Sequence, residues 1–269
     1  MRHILGRGQR ALLRSFAQPK TLLAFDYDGT LAPIIRRPGG ATMRARTRAL
    51  LTELTRHYHC AIISGRARAD LRHRLGRLRA AAVIGNHGIE PWNVSARAAA
   101  AVERWQALLS SRLGRLAGVS VENKGYSIAV HYRWARDKRK TLAAIRAATA
   151  LLKGVRAIPG KQLLNLLPAA VADKGSALRE AVTRLRCDKA IYLGDDETDE
   201  DVFALNRPPH LLAIRVGKKK DSLASYYIRG QAEIDEFLRC LLAIRARSDV
   251  AARRRAQWTD EGRGHGKPR

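Results

Sequence analysis

Acidic side chains are scarce in this chain. Its 269 residues carry 24 Asp and Glu against 51 Lys and Arg, a formal charge of +27, so wherever acids gather, something must hold their charges together. Cysteine is scarcer still. Cys60, Cys187 and Cys240 are odd in number, widely separated and without paired metal spacing, which argues against a disulfide framework and suits reduced thiols in a cytoplasm. Long apolar runs are missing too: 46% hydrophobic residues allow a sizeable core, but no run approaches the roughly 20 residues needed to cross a bilayer. A membrane role is therefore not expected. Helix-turn-helix, zinc-finger and aromatic-and-basic RNA signatures are absent as well. The positive charge reads as arginine spread over helix faces and a tail, not as a nucleic-acid site, though such a surface attracts anionic substrates.

What is present has an order. Residues 1–19 form a basic segment, with Arg2, Arg7, Arg10 and Arg14 and no acid. Its apolar stretches are too short for a secretory signal, and an organellar leader is disfavoured because Lys20 runs straight into the first strand. Apolar runs of four to six residues then alternate with amphipathic stretches: strands at Thr21 to Asp26, Cys60 to Ser64 and Ala81 to Gly85, helices at Met43 to Arg56 and Ala67 to Leu75. This pattern predicts an α/β fold with a doubly wound, mostly parallel sheet. From 95 to 168 the order changes to helix, hairpin, helix, hairpin, the mark of an inserted antiparallel module with helices on one face. The α/β series resumes from 169 to 244, with helix Lys174 to Leu185, strand Lys189 to Leu193, helix Asp199 to Leu205, strands Leu211 to Val216 and Ser225 to Ile228, and helix Ala232 to Leu242. The basic tail, 245–269, is expected to be disordered, including Arg253 to Arg255 and Gly262 to Gly266.

Chemistry-bearing residues fall at strand ends. In Asp26-Tyr-Asp-Gly-Thr-Leu31 two carboxylates close the first strand, at the edge where open α/β sheets bind ligands. Asp26 can attack phosphorus while Asp28 donates and then accepts the proton of the departing and attacking oxygens. Gly29, followed by Thr30, lets the chain turn backbone N–H groups toward an anion. Alone, this motif is equally a strand-ending turn. Its company is Gly194-Asp-Asp-Glu-Thr-Asp-Glu-Asp201, six acids within seven positions, which calls for a hard cation such as Mg²⁺. The metal set predicted here is Asp26, Asp28, Asp195 and Asp196, with Asp199 to Asp201 assigned partly to a helix dipole. Ser64 and Gly65 supply a hydroxyl and a turn for a phosphate oxygen, and Lys174 a cation beside the attacking carboxylate. A lone Ser or Lys at an element end is usually structural; four such signals in this order are not.

Together the four segments resemble the motifs of the haloacid dehalogenase superfamily, and the insert resembles the α/β cap of its sugar-phosphatase branch. Ser64-Gly-Arg66, Gly85-Asn-His-Gly88 with Glu90, Glu122-Asn-Lys124, His131-Tyr-Arg133, Gly160-Lys161 and the acid cluster further resemble the trehalose-6-phosphate phosphatase family, from about Lys20 to Leu242. The resemblance implies hydrolysis of trehalose 6-phosphate through an aspartyl-phosphate at Asp26, with Mg²⁺. It also implies functional coupling to the synthase that makes that substrate, and a cap closing over the sugar. Arg66, His87, Glu122, Lys124, Arg133, Lys161 and Asn165 are the substrate-binding residues it implies. Bland alternatives stand beside three of these: Lys124 as a hairpin residue, His87 satisfying a turn, Arg133 as surface charge. One position departs from the pattern: the family has Glu four residues after the cap Lys, and Asn165 stands there. An amide accepts hydrogen bonds more weakly than a carboxylate, which bears on the sugar and leaves other glycosyl phosphates, of glucosylglycerol or mannosylglycerate type, as alternatives. A weakly active sugar-phosphate-binding regulator is the alternative from another class.

Overall fold

A computed structural model describes residues 1–35, 40–205 and 209–261, with side chains through 248. The first part of the core comprises β1 (Arg2–His3), α1 (Arg10–Phe16), β2 (Thr21–Phe25), α2 (Ala45–Leu54), β3 (His59–Ile63), α3 (Arg68–Leu75) and β4 (Ala82–Ile84). An insert follows, with α4 (Ala96–Leu113), β5 (Ser120–Asn123), β6 (Ile128–His131), α5 (Lys138–Ala150), β7 (Val155–Gly160) and β8 (Leu163–Pro168). The core then resumes with α6 (Lys174–Arg184), β9 (Lys189–Gly194), α7 (Glu200–Phe203), β10 (Leu211–Val216), β11 (Tyr226–Ile228) and α8 (Ile234–Glu261).

The large sheet has the order β1-β11-β10-β9-β2-β3-β4, every pair parallel. Central strands of such a sheet are apolar on both faces because helices cover both. In β2, Leu23 and Phe25 enter the layer under α1, α2, α3 and α8, while Leu22 and Ala24 enter the layer under α6 and α7. Strand β2 lies between β3, which follows it in sequence, and β9, which arrives only after the insert. The chain reverses its winding direction between them, and the carboxyl ends of β2 and β9 frame the resulting crevice.

The insert folds as a four-stranded antiparallel sheet, β5-β6-β8-β7. Ser95 caps α4 by accepting from the Ala98 N–H, and Asp137 caps α5 by accepting from that of Lys140. Val102, Trp105, Leu109 and Leu113, at helical spacing along α4, pack on Ile128, Val130, Leu164 and Leu166 of the sheet. Covered by helices on this face, the sheet turns its other side toward the core.

One expectation from the sequence, the disordered tail, is corrected here, and the basic segment gains a place in the core. Residues 1–19 are part of the fold: β1 pairs with β11, and Leu13 and Phe16 of α1 are buried in the core. The Arg-rich look of this segment hides a helix whose apolar residues lie on one side. The tail from 245 is likewise helical in backbone as far as Glu261. No Gly or Pro interrupts 234–261, and its Ala, Arg and Leu content favours helix. Gly262 to Gly266 lie outside the described residues. Among the described residues no helix is long and apolar enough to cross a membrane.

Candidate active site

A cleft of about 540 Å³ opens between the β2, β3 and β9 ends and the insert's sheet. Its floor is a buried charge network. The Asp26 N–H donates to the Leu193 carbonyl at 2.8 Å, which fixes Asp26 against β9. Lys174, at the start of α6, donates from Nζ to Asp26 Oδ1 at 2.9 Å and to Asp199 Oδ1 at 2.7 Å. The local sequence holds that lysine in place, since Asp173 caps α6 in a reciprocal capping box with Ser176. Asp199 also accepts from the Tyr192 hydroxyl at 2.6 Å and from the Asp196 N–H at 2.9 Å.

Asp195 is the least satisfied member. Its Oδ2 accepts from Lys161 of the insert at 2.6 Å, while its buried Oδ1 has no partner. Gly29, at φ +83°, makes room for it, since a Cβ there would stand 2.2 Å from Asp195 Oδ2. Burial raises the Asp26 carboxyl well above its ordinary value despite Lys174 beside it, and pushes Asp195 up to about 6 although Lys161 pulls it down. Burial also pulls on the Lys174 ammonium, but Asp199 and Asp26 outweigh it and hold that group above its ordinary value.

Carboxylate oxygens of Asp26, Asp195 and Asp199 lie within 4.8 Å of one another, all buried. With an orphaned Asp195 oxygen among them, this all-oxygen donor set fits a small hard cation such as Mg²⁺. Asp28 and Asp196, expected in the metal set, stand outside this trio. Asp28 is gripped bidentately by Arg66, from Nε at 2.6 Å and from the terminal nitrogen at 2.7 Å. Asp196 caps the turn at Glu197–Asp199. The cause is the same in both cases: a nearer donor satisfies each carboxylate before the cluster can.

Arg66 reaches on to Asp70 at 2.8 Å, and Arg74 grips Asp70 from behind at 2.9 Å. Ser64 Oγ accepts from the Arg66 N–H at 3.2 Å, closing the turn after β3. Gly65 packs on His87, whose ring a Cβ at 65 would meet at 2.4 Å. His87 is buried without a well-formed hydrogen bond at either ring nitrogen, and burial holds it well below its ordinary value, hence neutral. From the insert, Lys124 Nζ donates to the Gly65 carbonyl at 3.1 Å, and Asn86 binds the Lys124 carbonyl at 2.9 Å and the Ser127 hydroxyl at 2.6 Å. Glu122 pairs with His131 at 2.8 Å, Arg133 donates to the Ile35 carbonyl at 3.1 Å, and Asn165 is buried in the wall.

Thus Asp26, Asp28, Ser64, Gly65, Arg66, His87, Glu122, Lys124, Arg133, Lys161, Asn165, Lys174, Asp195 and Asp196 all line the cleft. Gly29 and Thr30 do not. The turn at Gly29 passes beneath Asp195 and sends Thr30 into the core, where it is fully buried and its hydroxyl lacks a partner. Sequence reasoning missed Asp199 and Tyr192. Asp199 closes the turn that Asp196 caps, at the three-residue spacing of a reciprocal capping box, which was its signal in the sequence, and Tyr192 shares its strand face with Gly194.

The family model for trehalose-phosphatase matches residues 24–232, spanning both core parts and the insert. The chain belongs to the trehalose-phosphatase family. Family relatives include the trehalose-phosphate phosphatase of Mycobacterium marinum, 37% identical over 238 residues, covering 81% of this chain and 60% of that protein. The trehalose 6-phosphate phosphatase RA3 of Zea mays is 31% identical, covering 85% and 72%. The chain thus spans about 60% of the mycobacterial relatives' length. Among solved structures, the C-terminal domain of Candida albicans trehalose-6-phosphate phosphatase superposes with a TM-score of 0.70 at 23% identity, over 88% of this chain and 97% of that one. A sucrose-phosphatase from Synechocystis shares the fold at a TM-score of 0.55 and 14% identity, over 84% and 98%.

Proposed function

We propose that this chain hydrolyses trehalose 6-phosphate to trehalose and phosphate, with Mg²⁺, through an aspartyl-phosphate at Asp26. The observation that carries this reading is the buried Asp26 carboxylate at the switch point of the sheet, with Lys174 on one oxygen and the unpartnered Asp195 oxygen nearby. Family membership and the names of the relatives support the sugar.

In the first half-reaction an Asp26 oxygen bonds to phosphorus, the bond from phosphorus to the sugar oxygen breaks, and protonated Asp28 gives its proton to that oxygen. In the second, Asp28 takes a proton from water as the water oxygen attacks phosphorus, and phosphate leaves with Asp26 restored. Lys174 offsets the negative charge of Asp26 as an anionic phosphoryl group approaches. The Ser64 hydroxyl and Gly65 backbone form the phosphate wall. Arg66, which holds Asp28 in the structure, exchanges that carboxylate for the incoming substrate. Asp26 and Asp195 would hold Mg²⁺, with Asp199 steadying Lys174 behind them; when bound, the ion supplies Lewis-acid neutralisation of the phosphoryl oxygens. Glu122, Lys124, Lys161 and Asn165 present charged and amide partners to sugar hydroxyls as the insert closes as a cap. Cys60, Cys187 and Cys240 are free thiols, and we place the reaction in the cytoplasm, coupled to the synthase that forms the substrate.

Phosphate release from a panel of sugar phosphates with Mg²⁺ tests this function. Trehalose 6-phosphate is expected to rank first. A higher kcat/KM for a glucosylglycerol or mannosylglycerate phosphate would move the substrate and implicate Asn165, and no release from any ester would refute the phosphatase.

Metal binding has a readout independent of turnover. Because the folded Asp195 carboxyl titrates at about 6, against an ordinary 3.8, the folded protein binds a proton there that the unfolded chain has lost. The contribution of Asp195 to metal-free stability therefore falls as pH rises from about 4 to 6. The proton competes with the ion, so Mg²⁺ is expected to raise the melting temperature by several degrees at pH 7.5 and by little at pH 5. Equal shifts at both pH values in a thermal melt would remove Asp195 from the metal set.

A further inference from the structure

Three large apolar side chains that the fold leaves in water meet at one place. Trp134 is 67% exposed, Ile34 46% and Ile35 36%, and all three line the cleft whose floor holds Asp26 and Lys174 at 4% and 2%. That gradient of exposure places them at its mouth. They come from opposite sides: Trp134 follows β6 of the cap, and the isoleucines follow the turn after β2. Arg133, adjacent to Trp134, spans the gap through its bond to the Ile35 carbonyl. An apolar patch divided between two walls of a polar cleft marks a ligand surface.

The ligand's chemistry can be read from what surrounds the patch. Glu122, His131 and Lys161 line the same cleft, so a wholly apolar ligand would strip water from charged neighbours without replacing its hydrogen bonds. A small phosphate ester would satisfy the floor and have nothing to lay on the indole. A pyranose ring meets both demands, with C–H groups on its faces for the flat aromatic surface and hydroxyls on its rim for charged and amide partners.

We propose that Trp134, opposed by Ile34 and Ile35, is a stacking platform for the sugar ring remote from the phosphate, and that it selects disaccharide over monosaccharide phosphates. The proposal rests on the phosphatase reading of the cleft floor.

Steady-state kinetics of Trp134→Ala and Trp134→Phe with trehalose 6-phosphate and glucose 6-phosphate test it. The ratio of kcat/KM for the disaccharide ester over the monosaccharide ester is expected to fall about tenfold in Trp134→Ala and to recover to within about threefold in Trp134→Phe. An unchanged ratio, whether both esters lose equally or neither loses, overturns the platform. Where the wild type turns over neither ester, the phosphatase reading fails; there, or where glucose 6-phosphate is too slow to measure, titration with neutral trehalose decides the platform. A saturable change in tryptophan emission, lost in Trp134→Phe, supports it. No trehalose-dependent change in the wild type, or an undiminished one in the variant, overturns it.

Discussion

Asp26→Asn is expected to lower phosphate release from trehalose 6-phosphate by about 10⁴-fold or more while the protein stays folded. The amide matches the carboxylate in shape, and its carbonyl can still accept from Lys174 Nζ, which lies 2.9 Å from Asp26 Oδ1, but it cannot form an acyl phosphate. The fold has little reason to object. Burial already disfavours the ionised form of Asp26, so a neutral side chain relieves part of the repulsion from Asp195 and Asp199 and weakens the tie to Lys174 in return. Rapid acid quench with labelled substrate separates a nucleophile from a bystander: the wild type should trap phosphate on the protein, and the variant none. Turnover within a hundredfold of the wild type would exclude Asp26 as the attacking group.

Lys174→Met should strike both stability and turnover. Lys174 is 2% exposed and carries the only ammonium paired with either Asp26 or Asp199 among the described residues. Removing it leaves two buried carboxylates facing each other, and deleting one member of a buried pair costs about 3–5 kcal/mol, roughly 10 °C in melting temperature for a domain of this size. The folded ammonium is held above its ordinary value of 10.5. Its contribution is therefore fully present at pH 7 and is lost only as pH rises through the folded value, in strong alkali. Acid should narrow the difference between variant and wild type, because a proton on Asp26 then does part of what the lysine did. Turnover, measured well below the variant's melting temperature, should fall about 10³-fold. A variant as stable as the wild type at pH 7 would mean the two carboxylates are not ionised together.

Much of the site could be read from residue spacing. A short apolar run ending in Asp26, a second ending at Ser64 and a third ending in the acid cluster mark strand ends, and parallel α/β winding brings strand ends to one edge. Lys174 was legible because a helix start after Pro168 places a cation there. The two hairpins of the insert showed themselves by their turn residues, Lys124-Gly125 and Pro159-Gly160-Lys161, and the amphipathic helix before each by Ser95 and Asp137 at the starts. Asn165 was visible as a departure only because a family pattern stood behind it.

The pairing of carboxylates was not legible. Asp195, Asp196 and Asp199 look alike in a row of acids, and which of them faces Asp26 depends on the turn after β9 and on Arg66, Lys161 and Tyr192 arriving from elsewhere in the chain. Burial of Leu13 and Phe16 was hidden by the arginines around them. The meeting of Trp134 with Ile34 and Ile35 joins residues about 100 positions apart on different modules.

By itself, then, the sequence determined the elements, their order and the chemical types gathered at the strand ends, because hydrophobic period, turn residues and caps act over a few neighbours. Only the tertiary structure decided that Asp199 and not Asp28 completes the buried trio, that Asp28 is held by Arg66, and that the cleft mouth carries an apolar patch. Those outcomes are competitions among donors and surfaces brought together by sheet winding and by the seating of the insert on the core. Such competitions are settled by distances of about 3 Å, which spacing along a chain does not contain.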